Sequence, residues 1–254
     1  MQISVASDWV LAVLLLTLRL APVLAFAPPF TLLNIPLRVR VLIPVMLAVC
    51  LVQVPGARLP SIAAGLDTLL VLAMSEALIG LGIAFAFQAA FAALYFAGRV
   101  LDIQSGFGLA TVIDPATRAQ SPMIGTLFVL AAAAVFFAAD GHHELMRVIA
   151  ASLQAVPVGA AASGWPFEAV TAHVGVIFVL GVVTAGAGIA VLFLTDIALG
   201  FLSRTLPQMN ILLLGLQVKT LVLLFVLILM VGLLAPAFLR VTESGLRFIG
   251  QLEP

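Results

Sequence analysis

The chain has 254 residues, 64% of them hydrophobic and 9% charged, with a formal net charge of +0 and a mean hydropathy of +1.29. Soluble domains carry about 25% charged residues, so this chain cannot cover a water-exposed surface; it is an integral membrane protein or a subunit buried in a hydrophobic assembly. The neutral balance, with no basic or acidic tail, argues against nucleic acid as a partner, and the lone Cys50 excludes an intrachain disulfide and a Cys-based metal site.

The N-terminus lacks the positive start of a secretory signal, and the first basic residue, Arg19, lies inside the first apolar run, which therefore reads as a retained helix. Apolar runs cover residues 9–30, 39–54, 66–97, 122–139, 170–194 and 211–234. A spanning helix needs about 20 apolar residues, and open strands cannot satisfy their backbone in lipid. The expectation is an all-α, multi-helix hairpin protein of about six hydrophobic segments, one domain over residues 1–254.

The first run meets Pro28-Pro29, which must stop or kink it. The second is short for a span, and the third is too long for one untilted span. Small residues at four-residue spacing, Gly82, Ala86 and Ala90, let helix backbones approach closely, as do Gly181, Ala185 and Gly188 in the fifth run. Each stripe serves either packing within the chain or contact with another subunit. Residues 156–166, VPVGAAASGWP, form a loop between the fourth and fifth runs. Arg38, Arg40, Arg99, Arg118, Arg204 and Lys219 fall on one side of a six-span layout, and Arg58, Arg147, Arg240 and Arg247 on the other. That weak bias places both termini outside the cytoplasm.

Few residues suggest chemistry. His142 and His143 sit between Asp140 and Glu144, but neighbouring histidines on a helix point about 100° apart and zinc sites commonly use i, i+4 spacing. The stretch reads as a helix start, with Asp140 as N-cap, Glu144 in the first turn, and Leu145, Val148 and Ile149 on the apolar face. No nucleophile elbow, P-loop or dinucleotide fingerprint is present, so no enzyme activity and no cofactor is expected. Arg19 and Glu76 are charges inside apolar runs, and Asp102 and Asp196 lie just past the ends of two of them, where charge is costly and finds partners.

Two stretches break the apolar pattern. Residues 106–122, GFGLATVIDPATRAQSP, mix helix breakers with apolar side chains. Residues 196–219, DIALGFLSRTLPQMNILLLGLQVK, join two apolar helices through a polar turn. Asp196, Gly200, Arg204, Pro207-Gln208-Met209-Asn210, Gly215 and Lys219 resemble the signature of the FliR family of flagellar type III export-gate proteins. These share the pattern with the T-type proteins of virulence injectisomes. The Gly106-Phe107-Gly108 start, Asp114-Pro115, Asp140-Gly141-His142, Arg19, the Ala-Pro-Pro-Phe segment and residues 35–40 fit as well, in order along nearly the whole chain.

The resemblance implies a non-enzymatic structural subunit that looks like a P-type and a Q-type subunit fused together, one copy closing a helical gate built with P- and Q-type subunits. It implies partnership with the B-type switch protein and the A-type export protein, and passage of unfolded flagellar proteins driven by proton-motive force and a cytoplasmic ATPase. The implied location is the bacterial inner membrane at the flagellar basal body, with the gate largely on the periplasmic side. It also implies a pore plug made by Gly106, Phe107, Gly108, Leu109, Val112, Ile113, Asp114 and Pro115. The hairpin carrying Asp196, Arg204, Pro207, Gln208, Asn210, Gly215 and Lys219 would sit near the cytoplasmic mouth. On the residues alone, 106–122 is either a plug or a plain interhelical loop, and the hairpin turn either contacts neighbours or is simply solvated. The functional alternative is a multi-pass small-solute or proton-coupled transporter.

Overall fold

In the computed structural model, residues 2–32, 36–53, 65–107, 122–160, 167–206, 208 and 210–250 are described. They form helices α1 (Gln2–Phe26), α2 (Pro28–Leu32), α3 (Leu37–Val52), α4 (Leu66–Ser105), α5 (Met123–Ala138), α6 (Gly141–Ala155), α7 (Phe167–Thr205) and α8 (Ile211–Gly250), with no strand among them. The protein is all-α, and one or two helices account for most of each apolar run read from the sequence.

Prolines set several boundaries as expected. The first run breaks at Ala27, and α2 starts on Pro28, where a missing N–H costs nothing and the ring presets the helical φ. Pro36 precedes α3 and Pro122 precedes α5, each offering its carbonyl to the first turn: Val39 N donates to Pro36 O at 3.0 Å and Thr126 N to Pro122 O at 2.9 Å.

Length separates the helices into two groups. α4 runs 40 residues without interruption, about 60 Å at 1.5 Å per residue, twice the roughly 30 Å of a hydrocarbon core. A span of that length needs tilt or extension beyond the bilayer. α7 and α8 are similarly long, at 39 and 40 residues. α8 continues well past the apolar stretch ending at residue 234, since Arg240, Glu243 and Arg247 are polar but compatible with a helix. Among the described residues, four helices are long and apolar enough to span, namely those containing Asp8–Phe26, Leu66–Ser105, Glu168–Thr205 and Leu212–Met230, with α5 and α6 a fifth candidate only as a bent pair.

The chain forms two compact units. The first comprises Met1–Ala89, Phe136–His173 and Glu243–Pro254, and the second Ala90–Val135 and Val174–Thr242. In the first, Leu16, Leu20, Ile83, Leu145 and Ile149 are fully buried, and Phe87 meets Phe136 edge to face at 6.2 Å. α6 is its amphipathic element: Gly141, Leu145, Val148, Ile149 and Ser152 recur at helical spacing and are buried. In the second, Leu94, Leu101, Phe128, Leu192 and Leu223 are buried, and Phe91 meets Phe238 edge to face at 5.1 Å.

Close approach within each unit falls on particular glycines. A Cβ on Gly80 would lie 2.1 Å from the Arg19 carbonyl oxygen, so α1 and α4 touch backbone to backbone there. A Cβ on Gly98 would lie 2.5 Å from Gly125 Cα, which seats α5 on α4. The stripe at Gly181, Ala185 and Gly188 serves packing within the chain. A Cβ on Gly181 would come 3.0 Å from Ala93 O, one on Gly188 would come 2.6 Å from Leu101 Cδ2, and Ala185 is fully buried. In α4, Ala86 and Ala90 are buried, but the tight crossings use Gly80 and Gly98.

Candidate functional site

Charges inside apolar helices are where function is most expected, and Arg19, Glu76, Asp102 and Asp196 each have a partner. In the first unit Arg19 and Glu76, both fully buried, form an ion pair at 2.6 Å between α1 and α4. The guanidinium is a planar fork with five donors, and the fork is nearly filled. Nη1 donates to Ser152 O at 2.9 Å and Nη2 to Val156 O at 3.0 Å, so Arg19 caps the C-terminal carbonyls of α6. The second Glu76 oxygen accepts from Gly159 N at 3.0 Å, and Ser75 Oγ donates to Ala160 O at 3.3 Å. One buried pair thus ties α1, α4, the end of α6 and residues 156–160 together.

In the second unit Asp102 is a remote helix cap. It is 3% exposed, near the end of α4, and accepts from Ile124 N at 3.0 Å and Gly125 N at 3.3 Å, the first-turn donors of α5. The two ends of the connection between α4 and α5 are therefore fastened to each other. Replacing Asp102 by alanine is expected to destabilise the protein by about 1–2 kcal/mol, read as a lowered unfolding midpoint in detergent. Asparagine, which keeps an acceptor, should lose less.

The polar residues of the 196–219 stretch divide into two groups. Asp196 of α7 and Lys219 of α8 form an ion pair, and both engage Gln104 of α4. Gln104 Nε2 donates to Asp196 Oδ2 at 3.5 Å, and Lys219 Nζ donates to Gln104 O at 3.4 Å. Gly215 is buried with Leu199 Cδ1 3.5 Å from its Cβ position. The others lie at the turn. Arg204 and Gln208 are exposed, and Asn210 caps α8 through Leu213 N at 3.4 Å to its side chain and Leu214 N at 3.1 Å to its carbonyl. Pro207 lies outside the described residues.

Of the predicted plug residues, Gly106 and Phe107 are described. Both are half-buried in the turn ending α4, with Gly106 at φ 90, a conformation glycine adopts freely, and its N donating to Ile103 O at 3.2 Å. Gly108, Leu109, Val112, Ile113, Asp114 and Pro115 lie outside the described residues.

Asp140 departs from the expected helix start. Its side chain makes no capping bond; its backbone is left-handed at φ 54, and its carbonyl accepts from His143 N at 2.8 Å. Gly141 is required by Phe136, whose ring would lie 2.4 Å from a Cβ there. Glu144 pairs with Arg147 one turn on. The sequence marks Arg19, Glu76, Asp102 and Asp196 as costly charges but does not show which groups pair. Val156 and Gly159 take part through backbone groups that leave no side-chain signal, and Ser152 through both its carbonyl and its hydroxyl, whereas Gln104 could have been found as a polar residue two positions from Asp102.

Long apolar helices carrying internally paired charges define an integral membrane protein whose polar groups hold helices together. Residues 10–245 match the family of bacterial export proteins, family 1, and the chain belongs to that family. The flagellar biosynthetic protein FliR of Bacillus subtilis (strain 168) is 35% identical over 154 residues, 59% of this chain and 60% of that protein. The matched region is therefore less than two thirds of that relative's length. The flagellar biosynthetic protein FliR of Escherichia coli (strain K12) is 29% identical over 204 residues, 78% of this chain and 76% of that protein. The surface presentation of antigens protein SpaR of Shigella flexneri is 26% identical over 209 residues, 82% of this chain and 80% of that protein.

Proposed function

We propose that this chain is a non-enzymatic structural subunit of a flagellar type III export gate, building with P- and Q-type subunits the channel through which unfolded flagellar proteins leave the cell. The family match over residues 10–245 carries the reading. A second observation supports it. In the most apolar stretches of α7 and α8, 28% and 17% of residues are buried within the chain, which leaves long apolar faces for neighbouring subunits or lipid. The gate lies in the inner membrane at the flagellar basal body, largely on the periplasmic side, and meets the B-type switch protein and the A-type export protein.

Residues 106–115 act as the plug, with Phe107 and its apolar neighbours as the seal. The cap from Asp102 to α5 supports this by fastening the base of the segment. Shortening residues 106–113 is expected to let ions leak through an assembled gate, measured as growth inhibition or dye flux, without loss of assembly. Unchanged permeability in an intact complex rejects the plug. The turn near Arg204 and Gln208 contacts neighbours at the cytoplasmic mouth, supported by the exposure of both side chains. Arg204→Glu is expected to abolish assembly or export, and a normal result in both assays would remove Arg204 from that role.

The gate reading itself is tested by native mass spectrometry after co-expression with P- and Q-type partners. An export-gate subunit enters a large defined complex as a single copy. A small-solute transporter purifies alone or as a small symmetric oligomer.

A further inference from the structure

We propose that Asp140, His142 and His143 form a site for one divalent transition cation of the zinc type. One ligand atom from each lies within 4.8 Å of the others. His143 Nδ1 stands 3.5 Å from Asp140 Oδ1, and the two imidazole centroids are 4.2 Å apart. Zinc bonds of about 2.0–2.2 Å at tetrahedral angles hold ligand atoms roughly 3–3.6 Å from each other. The Asp140–His143 separation already meets that requirement. The remaining gap closes by side-chain rotation, which the 73% and 65% exposure of the Asp140 and His143 side chains permits.

Two further features leave these groups available. The Asp140 carboxylate is not used as a helix cap, because the left-handed backbone at that residue gives the capping task to its carbonyl oxygen. His142 Nδ1 is buried with no hydrogen-bond partner among the described residues, and buried polar atoms normally have one. Glu144 is taken by Arg147 and does not compete as a ligand. Two imidazoles and one carboxylate select zinc, nickel or copper over magnesium or calcium, which prefer all-oxygen sets. Three protein ligands also leave a coordination position for water. The i, i+1 spacing alone argues against sharing; the turn at Asp140 supplies the third ligand, and the adjacent rings lie side by side despite it.

The test is a Zn²⁺ titration of the tag-free full-length protein in detergent, in competition with a chromogenic chelator, followed by Co²⁺ absorption spectroscopy. One saturable equivalent per chain is expected, with affinity reduced at least tenfold in Asp140→Asn and abolished in a His142→Ala/His143→Ala double variant. Asp140→Asn preserves side-chain size, so a loss there is not a folding defect when the variant elutes as the wild type does. Absence of saturable Zn²⁺ binding, or binding retained by the double variant, overturns the proposal.

Discussion

Glu76→Ala is expected to destabilise the protein by about 3–5 kcal/mol, the cost of stranding a buried charge by removing its partner. Arg19 would keep its bonds to Ser152 O and Val156 O but would have no counter-ion in a fully buried position. Gly159 N would also lose its acceptor. Arg19→Ala should be at least as severe, because it strands Glu76 and uncaps the end of α6 together. Glu76→Gln should fall between wild type and alanine, since an amide can still accept from Arg19 Nε or Gly159 N. Thermal unfolding in detergent and the amount of chain in membranes both measure this order. A midpoint for Glu76→Ala equal to that of the wild type would show that the pair does not hold α1, α4 and residues 156–160 together.

Gly98→Ala is expected to cost about 1–3 kcal/mol, the usual penalty for overpacking a tight contact. The added methyl would lie 2.5 Å from both Gly125 Cα and Gly125 N, backbone atoms that cannot rotate away. Gly80→Ala meets the Arg19 carbonyl oxygen at 2.1 Å and should be worse. The sign reverses at Gly186 and Gly200, which have nothing within 4 Å of a Cβ. Alanine is favoured over glycine inside a helix by about 1 kcal/mol, so both variants should stabilise the isolated chain. Comparing the four midpoints separates steric crowding from helix propensity. Gly186 and Gly200 lie on open faces of α7, so loss of complex formation there, with gain in the isolated chain, would mark a subunit contact.

Helix positions were legible because apolar runs of this length have few alternatives in lipid, and Pro28, Pro36 and Pro122 punctuate them. The extent of α8 was not, since hydropathy falls after residue 234 while the helix persists through Pro236 to Gly250. Hydropathy reports where a segment is apolar, whereas the backbone only needs residues compatible with a helix. The separation of the chain into two units was also hidden, because α4 and α7 each contribute to both without a break in composition.

For the site, the sequence identified which charges matter and the fold supplied their pairing. Arg19 and Glu76 are 57 residues apart, and Asp102 caps residues 22 and 23 positions away. Such pairings depend on how helices cross, which no local pattern encodes. Asp196 and Lys219 were grouped through a family resemblance, and Gln104 joins them from a different helix. Phe136 likewise fills the space beside Gly141, next to the left-handed backbone of Asp140.

The proposed role of the chain is to help build a passage for exported flagellar proteins. It is tested most directly by deleting its gene in the source bacterium and measuring hook and filament proteins in the medium. Export is predicted to stop in the deletion strain, to return with the wild-type gene, and to remain absent with Glu76→Ala. Undiminished secretion in a verified deletion strain would rule that role out.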